Sequence, residues 1–303
     1  MQEKLCELSR LLQEEGRNEG LNDTSIANVK LFKASSVTET LHTVYEPSLF
    51  IIAQGAKRVM LGVNTYRYDA SSYLVSSMNL PISGQIIEAS LEKPFLSMQV
   101  CFTPEYIFDL ASQIGSLKKE TTETPSALSV HRVSEELIDA ALRLAKLFQK
   151  RGDSFVLAPL IIKEIIYWLL QGEYGVILRQ FALHGSNANR IAQSIELITE
   201  DISEPLRVEA LSLKVGMSVS AFHKHFKHVT AMSPIQYQKQ LRLQKARELL
   251  LTKMSEVGEV AFNVGYESPS QFSREYARLF GLSPQKDMMQ FKREINSFKM
   301  SGV

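Results

Sequence analysis

The stretch "NVGYESPSQFSREYARLFGLSP" at residues 263–284 nearly repeats the stretch "KVGMSVSAFHKHFKHVTAMSP" at residues 214–234. Each copy has Val-Gly near its start, a polar run leading to a Phe, a second aromatic residue four positions later, and a closing Ser-Pro. The matching aromatic positions are Phe222 with Phe272 and Phe226 with Tyr276. A duplication of this kind predicts one small supersecondary unit that the chain uses twice.

The first copy has the pattern of two short helices joined by a tight turn. Leu211 and Val215 fall on one helical face, and Gly216 follows, where glycine tolerates the left-handed backbone that ends a helix. Ser218 or Ser220 then offers a hydroxyl that can cap the second helix. This order of elements predicts a helix-turn-helix unit.

The second copy has the same pattern with clearer boundaries. Gly265 ends its first helix, and Ser268 with Pro269 begins the next, a capping hydroxyl followed by the residue best tolerated at the first helical position. In DNA-binding helix-turn-helix proteins the second helix enters the major groove and contacts base edges from its N-terminal half. Two such units therefore predict double-stranded DNA as a partner.

The segment between the copies, "YQKQLRLQKARELLL" at residues 237–251, has a helical pattern without Pro or Gly. The apolar residues predicted to pack against both units are Leu241, Ala246, Leu249 and Leu250, and the basic residues expected to remain outside are Arg242, Lys245 and Arg247. A rigid helix would hold the two units at a separation suited to successive major grooves, about 34 Å apart.

The region from Asn189 to about Phe291 resembles the DNA-binding domain of the AraC/XylS family of bacterial transcription regulators. The resemblance rests on "VGMSVSAFHKHFKHVTAMSPIQYQKQLRLQKARELL" and "VAFNVGYESPSQFSREYARLFGLSP". The first unit departs from the common Thr-Gly-x-Ser-Pro closure at Ala231, which must take the turn that glycine usually takes. By this resemblance the base-reading positions are Ser220, His223, Lys224 and Lys227 in the first unit and Ser270, Ser273 and Arg274 in the second.

Residues 31–103 have a different character, with short runs of β-branched and aromatic residues separated by Gly, Asn, Asp and Pro. This pattern predicts a small antiparallel sandwich or barrel, and the helical pattern begins at Pro104. The stretch "YEPSLFIIAQGAKRVMLGVNTYRYDASSYLVSSMNLPISGQIIEAS" at residues 45–90 resembles the N-terminal domain of a subset of AraC-type regulators. That resemblance implies a cupin-like β-barrel followed by helices, acting as an effector-sensing and dimerising module.

The chain is therefore predicted to be an α+β protein with an effector-sensing and dimerisation domain at residues 1–187 and an all-α DNA-binding domain at residues 188–303. The first contains the barrel, at about 31–103, and helices, at about 104–183. The second contains helix-turn-helix units at about 205–234 and 255–284. The candidate effector-binding residues are Gln54, Lys57, Tyr68 and Met98.

The charge distribution agrees with the assignment of DNA binding to residues 188–303. Residues 188–303 contain 16 Lys and Arg against 12 Asp and Glu, whereas residues 1–187 contain 18 against 21. The positive surplus has the sign that a phosphate-binding surface needs. The expected partners of such a regulator are a DNA operator, RNA polymerase, a second copy of the chain and, if an effector exists, a small molecule. We expect an activator, but the sequence alone leaves activation and repression as alternatives.

Enzymatic classes find little support in the sequence. No His lies between Tyr45 and Cys101, so the His cluster of a metal cupin is absent, and Cys6 and Cys101 alone cannot form a zinc cluster. We therefore predict no enzymatic activity, metal or cofactor. Two alternatives stay open: a cupin-like enzyme with an accessory DNA-binding domain, and a DNA-binding protein whose barrel serves only to dimerise.

The sequence also indicates a cellular location. The two distant cysteines and the charged N-terminus predict a cytoplasmic protein. The most apolar stretch, at residues 155–170, is short for a membrane span and contains Lys163 and Glu164. We expect it to form a buried or dimer-facing helix.

Overall fold

The computed structural model describes residues 1–114, 125–253 and 256–300. The N-terminal region combines strands and helices, and the C-terminal region is helical, as the α+β prediction requires. The strands are β1 (Gly20–Asp23), β2 (Val29–Ala34), β3 (Leu41–Tyr45), β4 (Ser48–Gln54), β5 (Ala56–Leu61), β6 (Asn64–Asp69), β7 (Ser72–Ser76), β8 (Leu80–Glu88), β9 (Phe95–Cys101) and β10 (Leu128–Arg132).

These strands form two antiparallel sheets, which we call the β domain. One sheet has the order β1-β2-β9-β4-β7-β10 and the other the order β3-β8-β5-β6. Leu61 pairs with Asn64 across the two-residue turn between β5 and β6, where Gly62 has a φ of 58°. Glycine suits this turn because it adopts positive φ at little cost.

The two sheets enclose one apolar core, because alternate residues of each strand point to opposite faces. On β4, Phe50 and Ile52 point between the sheets, whereas Leu49 and Ile51 point to the helices on the outer face. Tyr68 and Leu80 of the smaller sheet contribute to the same inner core. The six-stranded sheet is thus buried on both faces, which explains why its central strand is almost continuously apolar.

The helices follow the strands in two groups. They are α1 (Gln2–Glu15), α2 (Pro104–Ile114), α3 (Glu135–Lys146), α4 (Arg151–Gln171), α5 (Gly175–Ala182), α6 (Asn187–Glu200), α7 (Val208–Lys214), α8 (Val219–Thr230), α9 (Pro234–Lys253), α10 (Val257–Asn263), α11 (Pro269–Phe280) and α12 (Pro284–Met300), with a 3-10 turn at Leu147–Gln149. Helices α1 to α5 contribute to the apolar cluster on the outer face of the six-stranded sheet.

Two strands lie outside the part of the chain predicted to contain them. The β-rich region was predicted to begin at residue 31, but β1 lies before it and pairs with β2. The helical pattern expected from Pro104 onward is interrupted by β10, which pairs with β7. Both are edge strands of four or five residues, too short to show a clear alternation in the sequence.

The duplicated sequence forms two helix-turn-helix units, as expected. The first consists of α7 and α8, and the second of α10 and α11. The turn glycines Gly216 and Gly265 have φ values of 68° and 86°. Ser218 accepts the capping hydrogen bond from the Ala221 amide, so Ser220 is not the cap, and Ser268 caps α11.

The connecting helix α9 packs against both units, but two of its basic residues are not outside. Leu241 joins the core of the first unit, and Ala246 and Leu250 join that of the second. Arg242 is half-buried and bonded to backbone carbonyls, and Arg247 is ion-paired with the buried Asp287. Their partners lie 23 to 40 residues away along the chain, so helical periodicity alone could not place them.

The β domain and the first helix-turn-helix unit share one apolar core. Phe222, Phe226 and Tyr237 belong to the same buried cluster as the residues between the two sheets. The amide of Ala127, just before β10, donates to the Val229 carbonyl at 3.0 Å. Each fully buried aromatic side chain here stabilises the fold by roughly 1.5–3 kcal/mol through removal of apolar surface from water.

No helix within the described ranges is by itself long and apolar enough to cross a membrane. The bent pair Gly152–Gln171 and Gly175–Ala182 passes the test of length and composition only when its two helices are taken together.

Candidate nucleic-acid interface

Helix α8 divides into a buried face and an exposed basic face. Phe222, Phe226 and Val229 are fully buried against α7, α9 and the β domain. The other face carries the four predicted base-reading residues, all of them exposed: Ser220, His223, Lys224 and Lys227. The buried aromatic residues fix how the helix is rotated, so the polar residues share one accessible side.

The exposed side of α8 is strongly basic. Lys224 and Lys227 make no ion pair with any residue in the described ranges, and His228 lies on the same helix. Partial burial and the neighbouring Lys224 and His228 lower the pKa of His225. A surface of unpaired cations suits a polyanion, because neutralising phosphates releases the counterions condensed on DNA.

Helix α11 has the same arrangement in the second unit. Phe272 and Tyr276 are fully buried, whereas Ser270 and Arg274 are exposed and Ser273 is partly exposed. These three predicted residues line one shallow cleft with the start of α10 (Val257 and Gly258) and with Gln285 of α12. The Arg274 guanidinium forms no ion pair within the described residues.

A polar network not predicted from the sequence holds α11 in place. The Tyr266 hydroxyl donates to Glu275 at 2.8 Å, and Lys239 of α9 forms an ion pair with the same carboxylate at 3.3 Å. These hydrogen bonds lower the pKa of Glu275 although its burial opposes the shift. The tyrosine after the turn glycine was the available sequence signal, because a partly buried hydroxyl needs a partner.

The structure separates the four predicted effector residues into two pairs. Lys57 and Tyr68 are cross-strand partners on β5 and β6 and point between the sheets. Met98 belongs to the opposite face of the six-stranded sheet, against the helices. Gln54 is bonded to Ser9 of α1 and to the Pro94 carbonyl. The four residues therefore do not line one cavity.

The surroundings of Lys57 are aromatic. Its ammonium lies 5.3 Å from the ring centroid of Phe32 and 5.5 Å from that of Tyr45, within cation–π range. The hydroxyl of Tyr45 is buried near that of Tyr68 and makes no hydrogen bond of ordinary geometry among the described residues. Burial raises the pKa of the neighbouring Tyr68 well above its usual value. A positive charge and an unsatisfied hydroxyl thus face the inner core together.

A cavity of about 930 Å³ lies elsewhere, between one end of the β domain and helices α2 and α4. Its lining includes Glu46, Cys101, Tyr106 and Phe155. Burial raises the pKa of the Cys101 thiol, which disfavours the reactive thiolate. No group of three or more His, Cys, Asp or Glu side chains within the described ranges is placed to hold a metal ion.

Two helix-turn-helix units with exposed basic faces, joined to a β domain, define a DNA-binding transcription regulator. Residues 25–177 match the family described as AraC-type transcriptional regulator N-terminus, and residues 211–289 match a helix-turn-helix domain family. The chain therefore belongs to the AraC/XylS family of transcription regulators, as its sequence motifs predicted.

Two named transcription regulators are similar to this chain in sequence. The chain is 22% identical over 268 residues to the thermoregulatory protein LcrF of Yersinia pestis, covering 86% of this chain and 96% of LcrF. It is 29% identical over 157 residues to the transcriptional activator RhaS of Salmonella schwarzengrund, covering 51% of this chain and 55% of RhaS.

Solved structures of ToxT from Vibrio cholerae have the same overall fold. One ToxT structure aligns with a TM-score of 0.56 at 14% identity, covering 87% of this chain and 97% of ToxT. A ToxT structure with a bound unsaturated fatty acid aligns with a TM-score of 0.55 at 12% identity, covering 86% of this chain and 94% of ToxT. At these identities the similarity concerns the fold alone.

Proposed function

We propose that this regulator binds a specific DNA operator with both units, α8 entering one major groove and α11 the next. The observation that carries this proposal is the exposed polar face that each unit presents at equivalent positions of the repeat. The proposed base-reading residues are Ser220, His223, Lys224 and Lys227 on α8 and Ser270, Ser273 and Arg274 on α11. The 20-residue α9 is about 30 Å long, close to one turn of DNA.

The experiment that tests this function is a selection of genomic fragments with purified protein at physiological salt, followed by footprinting of the best fragment. Two protected major-groove patches one helical turn apart support the proposal. Binding that is equally tight for all fragments contradicts it. A variant with Lys224→Ala and Lys227→Ala provides the first comparison. Loss of two base-reading residues should weaken binding most on the selected fragment and reduce its preference over other fragments, and loss of two cations should also lower the salt dependence.

We further propose that the protein activates transcription, through a contact with RNA polymerase. The relatives named above include the activator RhaS, and VirF of Yersinia enterocolitica, 22% identical, is also named as a transcriptional activator. Transcription in vitro from a template that carries the selected fragment tests this. A rise in transcript with added protein supports activation, and a fall indicates repression.

We propose that the inner core of the β domain binds a small carboxylic acid with an apolar body. Lys57 supplies a cation without an ion-pair partner in the described structure, and Tyr45 supplies an unsatisfied hydroxyl. The ToxT structures bound to an unsaturated fatty acid and to a naphthalenyl-butenoic acid support this class of ligand. Of the four predicted effector residues, Lys57 and Tyr68 would contact it, and Gln54 and Met98 lie on the other face.

The contacts between the β domain and both helix-turn-helix units would couple such a ligand to DNA. The Tyr237 hydroxyl at the start of α9 donates to the Asn79 carbonyl beside β8. His42 of β3 packs edge-on against Phe280 at the end of α11, with ring centroids 5.2 Å apart. A ligand that favours one arrangement of the smaller sheet would thereby shift the DNA-binding units, since it stabilises the arrangement that binds it better.

We also propose that residues 1–187 dimerise through α4. Its second half buries Ile165, Ile166, Leu169 and Leu170, but Phe155, Val156 and Leu160 in its first half are 88%, 62% and 61% exposed. Such an apolar patch on a surface helix is typical of an association site. Sedimentation equilibrium tests this: Phe155→Ser with Leu160→Ser should yield monomers, whereas Leu91→Ser, which removes an equally exposed residue elsewhere, should leave a dimer.

We place the regulator in the cytoplasm, where a bacterial operator is accessible, and assign it no enzymatic activity, in keeping with its regulatory relatives.

A further inference from the structure

We propose that Arg242 is a positioning residue that fixes the separation of the two helix-turn-helix units, and hence the spacing of the two base sequences that one chain binds together. The inference rests on the proposed function, because it concerns how the two units act on one operator. Arg242 lies near the middle of α9, half-buried between the units.

The guanidinium group of Arg242 donates to four backbone carbonyl oxygens from two separate segments. Its Nε donates to Ile202 at 2.5 Å, and its Nη2 donates to Ser203 and Glu204 at 2.9 Å each. These carbonyls belong to the loop between α6 and α7, which leads into the first unit. Its Nη1 donates to Gly265 at 2.9 Å, in the turn of the second unit. One side chain therefore joins the entry of one unit to the turn of the other.

The same junction is closely packed. A Cβ atom on Gly265 would lie 2.1 Å from the Ser203 carbonyl oxygen and 2.8 Å from Nη2 of Arg242. One helical turn before Arg242, the Gln238 amide donates to the carbonyls of Ile202 and Glu204 at 3.3 and 2.8 Å. The loop and the turn thus meet backbone to backbone, and α9 holds both of them.

The equivalent position in the first unit has no such bridge. Arg190 of α6 donates through Nη1 to the carbonyl of Gly216, as Arg242 does to that of Gly265. A Cβ atom on Gly216 would meet only the Arg190 side chain within 4 Å. Each turn glycine therefore accepts a hydrogen bond from an arginine of the helix before its unit, α6 or α9, but of these two arginines only Arg242 also binds a segment of the other unit. Arg190 provides the matched control.

The consequence for DNA follows from helical geometry. One added base pair moves a half-site about 3.4 Å along the axis and rotates it by about 34–36°. Two units held at a fixed angle accept one spacing, because any other makes one unit lose its base contacts. Units that pivot at α9 accept neighbouring spacings as well. Spacing preference is therefore a property that general destabilisation of the fold does not change.

The test uses the operator obtained from the selection and two derivatives with one base pair inserted or removed between the half-sites. Wild-type protein should prefer the natural spacing by about tenfold or more, the equivalent of about 1.4 kcal/mol. Arg242→Gln should reduce that preference to about threefold or less, while its affinity for each isolated half-site stays within about twofold of wild type. Arg190→Gln should weaken binding at the first half-site and keep the wild-type spacing preference.

Two results for the Arg242→Gln variant overturn the inference: a spacing preference equal to that of wild type, or binding that is weakened equally at every spacing and at each isolated half-site. If Arg242→Gln fails to fold, Gly265→Ala and Arg242→Lys take its place, because the first wedges the same junction apart and the second keeps the charge with fewer hydrogen bonds. If wild-type protein binds specifically but shows no spacing preference, the inference about Arg242 is wrong and the proposed function stands. If wild-type protein shows no sequence-specific binding, the inference and the proposed function are both wrong.

Discussion

Gly62 and Ala231 touch each other across the boundary between the β domain and the first helix-turn-helix unit. A Cβ atom on Gly62 would lie 2.6 Å from the Ala231 carbonyl oxygen, and both residues have a φ of 58°. Ala231 ends α8 in the left-handed conformation that the departure from the usual glycine predicted. The tight turn of β5 and β6 therefore rests directly on the end of the helix that we propose binds DNA.

Gly62→Val should disrupt this contact. We expect two losses in the free energy of unfolding. Backbone strain alone should cost about 1–3 kcal/mol, and the contact of the new side chain with the Ala231 backbone should add to this. Gly20→Val separates the two effects, since Gly20 has a φ of 86° and no atom lies within 4 Å of the position that its Cβ would take. Urea unfolding of both variants measures the difference. Equal losses for the two variants would show that the contact contributes nothing.

Arg274→Ala should weaken binding to the selected operator by about 1–3 kcal/mol and relax discrimination at one base pair, because an arginine can bind guanine through two hydrogen bonds. Arg278→Ala is the control, as this residue lies one turn further along α11, away from the helix N-terminus. Affinities for matched and singly mismatched duplexes give the answer. An equal loss on every duplex would assign Arg274 to a phosphate instead.

Asp287, in the first turn of α12, should be the most sensitive ionisable residue among those packed against the second unit. It is 5% exposed, binds Arg247 at 2.7 and 3.0 Å, and accepts a hydrogen bond from Tyr276 at 2.6 Å. Asp287→Ala leaves the partly buried Arg247 without its counter-charge and the Tyr276 hydroxyl without its acceptor, and should cost about 3 kcal/mol. Glu248→Ala, which breaks the exposed pair with Lys245, should cost less than about 1 kcal/mol. Calorimetric melting measures the loss of unfolding free energy in the two variants. Similar losses would contradict this prediction.

His42 should make the stability of the protein depend on pH. Burial and the nearby Arg247 lower its pKa below the usual 6.5 in the folded state, so the unfolded state binds more protons between the two values. The free energy of unfolding should therefore fall as the pH drops from about 7 through 6.5. His42→Gln should lessen this dependence and keeps a side chain that can hydrogen-bond to Ser83, which lies 2.8 Å from the imidazole Nδ1.

His225 needs separate treatment, because its pKa is also lowered and it contributes in the same pH range. His225→Gln serves as the comparison: the two single variants should each remove part of the pH dependence, and the double variant should remove the sum. Urea unfolding at pH values of about 5.5 and 7.5, on either side of the usual histidine pKa, measures how the free energy of unfolding changes with pH in each variant. A wild-type slope in His42→Gln would exclude the contact with Phe280 as a pH-sensitive element.

The sequence predicted those features that depend on neighbouring residues along the chain. The caps at Ser218 and Ser268 and the turn glycines follow from side chains three or four positions apart. The inward faces of α8 and α11 follow from helical spacing in the same way. The resemblance to the family, by contrast, assigned the seven proposed base-reading residues, and all of them are exposed or partly exposed.

Features that depend on distant segments were not predictable. Arg242 and Arg247 have the spacing of a solvated face, yet carbonyls of the α6–α7 loop and the carboxylate of Asp287 hold them inside. Gln54 and Met98 lie on strands that also carry inward-pointing residues, and alternation alone does not say which face meets the helices. Only the packing of α1 against the six-stranded sheet decides that.

Lys57 offers the last test, because its neighbour Arg58 points to the opposite face of the same strand. Fatty acids and arylalkenoic acids should raise the melting temperature of the wild-type protein, since a ligand that binds only the folded state stabilises it. Lys57→Met should abolish the rise because it removes the cation beside Tyr45 and Phe32, whereas Arg58→Met should retain it. The methyl esters of the same acids provide the chemical control, because they lack the carboxylate, and they should not raise the melting temperature of the wild type or of either variant. A rise that survives in Lys57→Met would place the ligand elsewhere, with the cavity between the β domain, α2 and α4 as the next site to fill by mutation.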